Sequence, residues 1–217
     1  MGEGASPGIM AFNAPVGPDD SAEIFYQETI SSGCYINDHN LAKIFARDIC
    51  KEVAYLESIG IKFDRNETGG FDLLHALGAS QARLVHYKSL TGITVIKLLK
   101  REAQKFGAVF HHNFMMTGLL LDEGKVCGAA GISLETGDFT SYFAGSVILA
   151  TGGCGAMYPI TQYPNDIIGG GYRAAYRAGA ELVDMEFMQF EPCIFIYPEE
   201  IKGKPIPTTM MMEGAEL

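Results

Sequence analysis

The residues best placed to do chemistry gather in the second half of the chain. Ser146–Ala150 (SVILA) is a short apolar run with branched residues, and it leads directly into Thr151, Gly152, Gly153 and Gly155. In α/β sheets, a strand that ends in a glycine turn offers backbone N–H groups to a ligand. Small residues let a flat ligand lie against the backbone, and Thr151 adds a hydroxyl. The same run also reads as a tight structural turn after a core strand. Further along, Asp184, Glu186 and Glu191 stand close together. Such carboxylates serve acid–base chemistry or hold a cation, and equally well lie solvated or salt-bridged. His111 and His112 are adjacent, so on a strand they face opposite ways and chelate one metal poorly. The methionines at 210–212 read as packing rather than as a copper site.

The five cysteines, Cys34, Cys50, Cys127, Cys154 and Cys193, are odd in number and form no CxxC pair. They fit scattered thiols in a reduced, cytoplasmic protein better than a zinc site or a disulfide framework. A dinucleotide fingerprint needs GxGxxG between a strand and a helix. Gly2, Gly4 and Gly8 have the wrong spacing, no strand precedes them, and Pro7 interrupts them. The chain thus reads as carrying one glycine turn of a nucleotide-type site without the phosphate-binding unit.

These residues need elements to hold them. Residues 1–20, rich in Gly, Pro and Ala, read as irregular loop. Asp38 is a good N-cap, and Leu41, Ile44, Phe45, Ile49, Val53 and Leu56 follow at helical spacing up to a stop at Gly60. Residues 61–80 read as loop, with a short strand at 61–63. A second helix spans about 90–106, closed by Gly107. The period then changes, and 108–112, 114–121, 126–134 and 139–144 are short β-like runs separated by turn residues. Together they predict a short strand followed by a three-stranded meander. Ser146–Ala150 reads as a strand buried in a parallel sheet, residues 169–178 as a helix that starts at glycines, and Glu181–Asp184 as a further strand. This order predicts an α/β nucleotide-binding layer with a small antiparallel insertion.

Composition narrows the function. In 217 residues, Lys and Arg total 16 against 26 Asp and Glu, a formal charge of −10. That balance argues against binding a nucleic-acid backbone, which needs a basic face. No apolar run is long enough to predict a membrane span.

The stretch from Val147 to Pro192, VILATGGCGAMYPIT and then GGGYRAAYRAGAELVDMEFMQFEP, resembles the flavoprotein subunit family of fumarate reductase and succinate dehydrogenase, which includes L-aspartate oxidase. That family writes an ATGG turn, a GDG helix start, AGA, and DMEF-QFHPT. Arg83 with Thr91–Gly92 looks like its Arg…TG helix start, Ser6–Ile9 like its AAGGI segment, and MEGAEL like the start of its TEGARGEG stretch. The resemblance covers nearly the whole chain. It implies a Rossmann-like FAD-binding domain over 1–192, the start of a capping domain over 193–217, and hydride transfer between FAD and an activated carbon–carbon bond. It implies a small organic-acid-like substrate, with an electron-transfer partner as a further possibility. The flavin site would include Thr151, Gly152, Gly153 and Gly170, with the backbone near Met116 close to the adenine. Glu191 and Met212 would face substrate.

Departures from the family pattern carry their own expectations. Its GxGxxG strand and its catalytic arginine have no match here, so the chain reads as a middle fragment with an incomplete FAD site. Gly170 stands where the family has the GDG acid, Glu191 where it has the QFHPT histidine, and Met212 where it has a threonine. A glutamate at that position repels a dicarboxylate, which argues against fumarate or succinate as substrate. A non-catalytic flavin-binding or interaction module is the alternative.

Overall fold

The computed structural model describes residues 4–76, 78–161, 163–189, 194–204 and 206. These fall into two compact units, one up to Ala108 and one from Val109 onward. The expected division at 192/193 lies outside the described residues.

In the first unit, helix α1 (Ala22–Ser32) and helix α2 (His39–Ser58) form a hairpin. Asp38 caps α2 as expected, its carboxylate accepting from the N–H groups of Asn40 (2.8 Å) and Leu41 (3.0 Å). Three short strands, β1 (Ala11–Asn13), β2 (Leu73–His75) and β3 (Ala82–His86), form an antiparallel sheet in the order β1–β3–β2. Helix α3 (Thr91–Lys105) follows. The core joins Ala14, Val53, Leu56, Ile61, Phe63, Val85 and Val95, so one face of α2 packs with the central strand and with α3.

Two polar features tie this unit together. Arg83, fully buried, donates from Nη2 to Asp20 Oδ1 at 3.1 Å, brings its Nε within 2.9 Å of Asp20 Oδ2 as an ion pair, and reaches Glu28 at 2.8 Å. Thr91, also fully buried, accepts from the Tyr87 N–H (2.9 Å) and donates to the Met10 carbonyl (2.5 Å). Beside it, the Gly92 N–H donates to the Ile9 carbonyl, and a Cβ at Gly92 would fall 2.9 Å from Ile9 N and Pro7 O. The 6–10 segment thus rests directly on the start of α3.

In the second unit, β4 (Phe114–Asp122), β5 (Lys125–Ser133) and β6 (Phe139–Phe143) form the expected antiparallel meander. Met116 pairs with Gly131, and Ala130 pairs with both Gly118 and Ser141. Helix α4 (Gly170–Arg177) packs on β4, and Arg173 donates to the Thr117 carbonyl at 3.1 Å.

Several expectations fail. Residues 1–20 and 61–80 hold β1 and β2, while 61–63 is not a strand; α1 and β3 are further additions. Neither 108–112, 146–150 nor 181–184 forms a strand. Ile148, at the centre of the SVILA run, is 90% exposed rather than buried. A branched apolar run becomes a parallel strand only when neighbouring strands supply its hydrogen bonds, and among the described residues every paired strand is antiparallel. What stands is a mixed helix and sheet fold with two small antiparallel sheets.

Candidate functional site

The glycine turn predicted from sequence is built entirely within the second unit. Gly152 has φ +71°, a conformation that favours glycine. Residues 155–157 form a single 3-10 turn, closed by Met157 N–H to Cys154 O (3.1 Å). The Ala156 N–H donates to Ile167 O at 3.1 Å and fastens the turn to the loop before α4.

That loop ends at Gly169, φ +80°, from which α4 starts without a side-chain cap. Gly171, in the first turn of α4, is buried against Thr151. A Cβ there would collide with the Thr151 hydroxyl and lie 3.1 Å from its Cβ. Thr151 therefore sits on the N-terminal turn of α4, and the two segments meet only because position 171 lacks a side chain. Gly170, by contrast, is exposed, with nothing within 4 Å of the space its Cβ would fill.

The geometry joins Thr151, Gly152, Gly153 and the start of α4 into one exposed surface. Among the described residues, no hydrogen bond takes up the N–H of Gly152 or Gly153. The first N–H groups of α4 carry the partial positive charge of a helix N-terminus. Such a surface suits a flat, oxygen-rich, anionic ligand: backbone donors, one hydroxyl and no side chain in the way. Met116 lies on β4, whose neighbour Thr117 holds Arg173 of α4.

Residue 163 went unnoticed in the sequence. The Tyr163 ring packs against the turn at Gly155 and, more loosely, at Gly153. No local period marks it, and only the closeness of glycines to an aromatic residue could have hinted at it.

The other candidates are dispersed. Asp184 and Glu186 are exposed on an irregular segment. Glu191, Cys193 and Met212 lie outside the described residues. No group of three or more His, Cys, Asp or Glu able to hold a metal occurs among the described residues. His111 accepts from or donates to the Tyr142 hydroxyl at 3.0 Å, without a metal-type partner beside it. Cys34, Cys50, Cys127 and Cys154 are free thiols, and burial pushes the Cys50 thiol up from its usual pKa. No described helix is long and apolar enough to cross a membrane.

The chain itself resembles known proteins over almost its whole length. The FAD binding domain family matches residues 4–212, almost the whole chain. The chain belongs to that family. FAD is the cofactor that membership gives it, and the donor-rich glycine surface fits such a group. A fumarate reductase (CoM/CoB) subunit from Methanothermobacter marburgensis is 35% identical over 213 residues, covering 98% of this chain and 39% of its own. L-aspartate oxidase of Halalkalibacterium halodurans is 30% identical over 209 residues, covering 94% of this chain and 39% of its own. Among solved structures, Mycobacterium smegmatis Sdh1 in complex with UQ1 superposes with a TM-score of 0.83 at 30% identity, covering 97% of this chain and 37% of that one. The resemblance read from the 147–192 motifs is thus borne out. The chain spans well under half the length of these relatives.

Proposed function

We propose that this chain supplies part of an FAD-dependent oxidoreductase that moves hydride between FAD and a carbon–carbon single or double bond of an organic-acid-like substrate. The observation that supports it is the preformed glycine turn, with Thr151 seated on the start of α4, inside a chain of the FAD binding domain family. FAD, when bound, supplies the hydride chemistry.

The chain's own residues bind and orient. Gly152 and Gly153 present free N–H groups and no side chains, so a flat ring system can lie on the backbone. Thr151 offers a hydroxyl that accepts or donates. The start of α4 at Gly169–Gly171 favours negative charge, and Gly170 leaves that approach open. The strand backbone at Met116 serves the adenine end. Glu191 and Met212 face substrate in this reading. A carboxylate at 191 repels a second carboxylate, which favours a substrate other than fumarate or succinate. Residues 1–192 form the cofactor part and 193–217 begin the substrate-capping part. Electrons pass to a partner within a reduced, cytoplasmic setting.

The test is a titration of the isotopically labelled chain with FAD, followed by amide chemical shifts. Shifts centred on 151–155 and 169–171 are expected. Shifts confined to other segments would overturn the site assignment. A second reading, a flavin-binding module without catalysis, is favoured by Gly170 and Glu191, which replace the family's acid and histidine. It would gain if reduced bound flavin were not reoxidised by any activated alkene acid.

A further inference from the structure

We propose that Tyr163 is a positioning residue for FAD: its ring holds the Thr151–Gly155 turn in the shape that receives the cofactor. The inference rests on the reading of that turn as part of the flavin site. Gly155 does not have positive φ, so its backbone does not demand glycine. What demands it is the ring. A Cβ at Gly155 would lie 2.7 Å from Tyr163 Cγ and 2.9 Å from Cε2, so the ring face occupies the missing side chain's place. At Gly153 the same Cβ would touch Cε1 and the hydroxyl oxygen at 3.8 Å, an ordinary contact. The ring thus spans the turn from Gly153 to Gly155.

The backbone that carries the ring is tied locally, while the side chain itself is 42% exposed. The Tyr163 N–H donates to Thr161 Oγ1 at 3.1 Å, and the Ile167 N–H donates to Pro164 O at 3.1 Å. Ile167 then accepts from Ala156 at the far side of the turn. Turn, tyrosine loop and α4 start therefore close into one circuit: Gly155 against Tyr163, Ala156 against Ile167, Thr151 against Gly171. Tyr163 backs the turn at Gly155 and Gly153, and Ile167 backs it at Gly152. Holding a binding loop in its bound shape before the ligand arrives raises affinity by lowering the ordering cost.

The experiment uses the full 217-residue chain and FAD as the probe, with ligand-observed NMR up to millimolar concentration so that weak binding is measured. Tyr163→Phe keeps the ring and should bind FAD within about twofold of the original chain, while Tyr163→Ser should bind about tenfold more weakly. Gly155→Ala should also weaken binding, yet add little in the Tyr163→Ser background, where its methyl meets no ring. Equal affinity for Tyr163→Ser, or the same Gly155→Ala loss in both backgrounds, would overturn the proposal. Gly152→Val separates the two levels. If it weakens FAD binding while Tyr163→Ser does not, only the tyrosine's role fails; if it too leaves binding unchanged, the turn is not the flavin site. Hydrogen exchange at the Ala156 amide gives a reading without FAD. It should quicken in Tyr163→Ser and stay put in Tyr163→Phe, and unchanged exchange in the serine variant would also overturn the proposal. Tyr163→Leu, of similar volume without a planar ring, replaces the serine variant if that one does not fold.

Discussion

Gly170 is a position where the turn leaves room for a side chain. It is the first residue of α4, exposed, with open space where a side chain would go. Glycine in a helix costs roughly 0.5–1 kcal/mol relative to alanine, and a carboxylate near a helix N-terminus adds about 0.3–1 kcal/mol. Gly170→Asp should therefore stabilise the chain by about 1 kcal/mol, seen as a rise in the denaturant midpoint; a fall would show that glycine is needed there for close approach. A second residue-level outcome concerns acid. Hydrogen bonding from Ser80 holds the Glu28 carboxyl below its usual pKa, with the nearby Arg83 charge adding to it and partial burial opposing. A depressed folded-state pKa gives stability that is complete above the ordinary glutamate value, near ~4.3, and is lost as pH falls through the folded value. The stability advantage over Glu28→Gln should stay level from neutral pH down to about 4.3, then narrow below it. An advantage that widens on acidification would contradict the Ser80 and Arg83 contacts.

The elements divide by how local their signals are. Helix α2 was legible because its cap, its apolar stripe and its glycine stop all lie within one stretch of sequence. Asp38→Ala should cost about 1 kcal/mol through loss of the one carboxylate oxygen that accepts from two N–H groups, read in a urea midpoint, with no loss expected if the cap bonds do not form. The meander was legible for the same reason, since its turns join neighbours in sequence. The first sheet was not, because Ala11 pairs with His86 and Leu73 with Val85, and three-residue strands carry no period of their own. Helix α1 hid behind a weak stripe, although Ser21 caps it through Ile24 N–H at 3.2 Å. The SVILA run misled in the opposite sense: composition alone predicts burial, while burial needs a paired neighbour on each side. The candidate site was legible where backbone decides, at Gly152, and illegible where packing decides, at Tyr163 against Gly155.

At the level of the whole molecule, binding strength follows from which parts of the cofactor the chain can grip. A dinucleotide is held chiefly through its pyrophosphate, on a glycine loop at a helix N-terminus that follows a strand. In this sequence the early glycines Gly2, Gly4 and Gly8 lack that spacing. The start of α4 is preceded by a glycine turn rather than by a paired strand. The net charge of −10 adds long-range repulsion of an anionic ligand. Thr151, Gly152 and Gly153 offer backbone contacts, each a net gain of about 1 kcal/mol, against roughly 1.5–3 kcal/mol for each charge-assisted phosphate contact. The purified 217-residue chain on its own should therefore bind FAD weakly, with a dissociation constant above about a micromolar, and show no turnover with alkene acids. Calorimetry or flavin fluorescence on the purified chain decides it. A yellow protein as isolated, or stoichiometric uptake below micromolar FAD, would mean that a second copy or another segment of this chain completes the phosphate site, and concentration-dependent sedimentation would then tell the two apart.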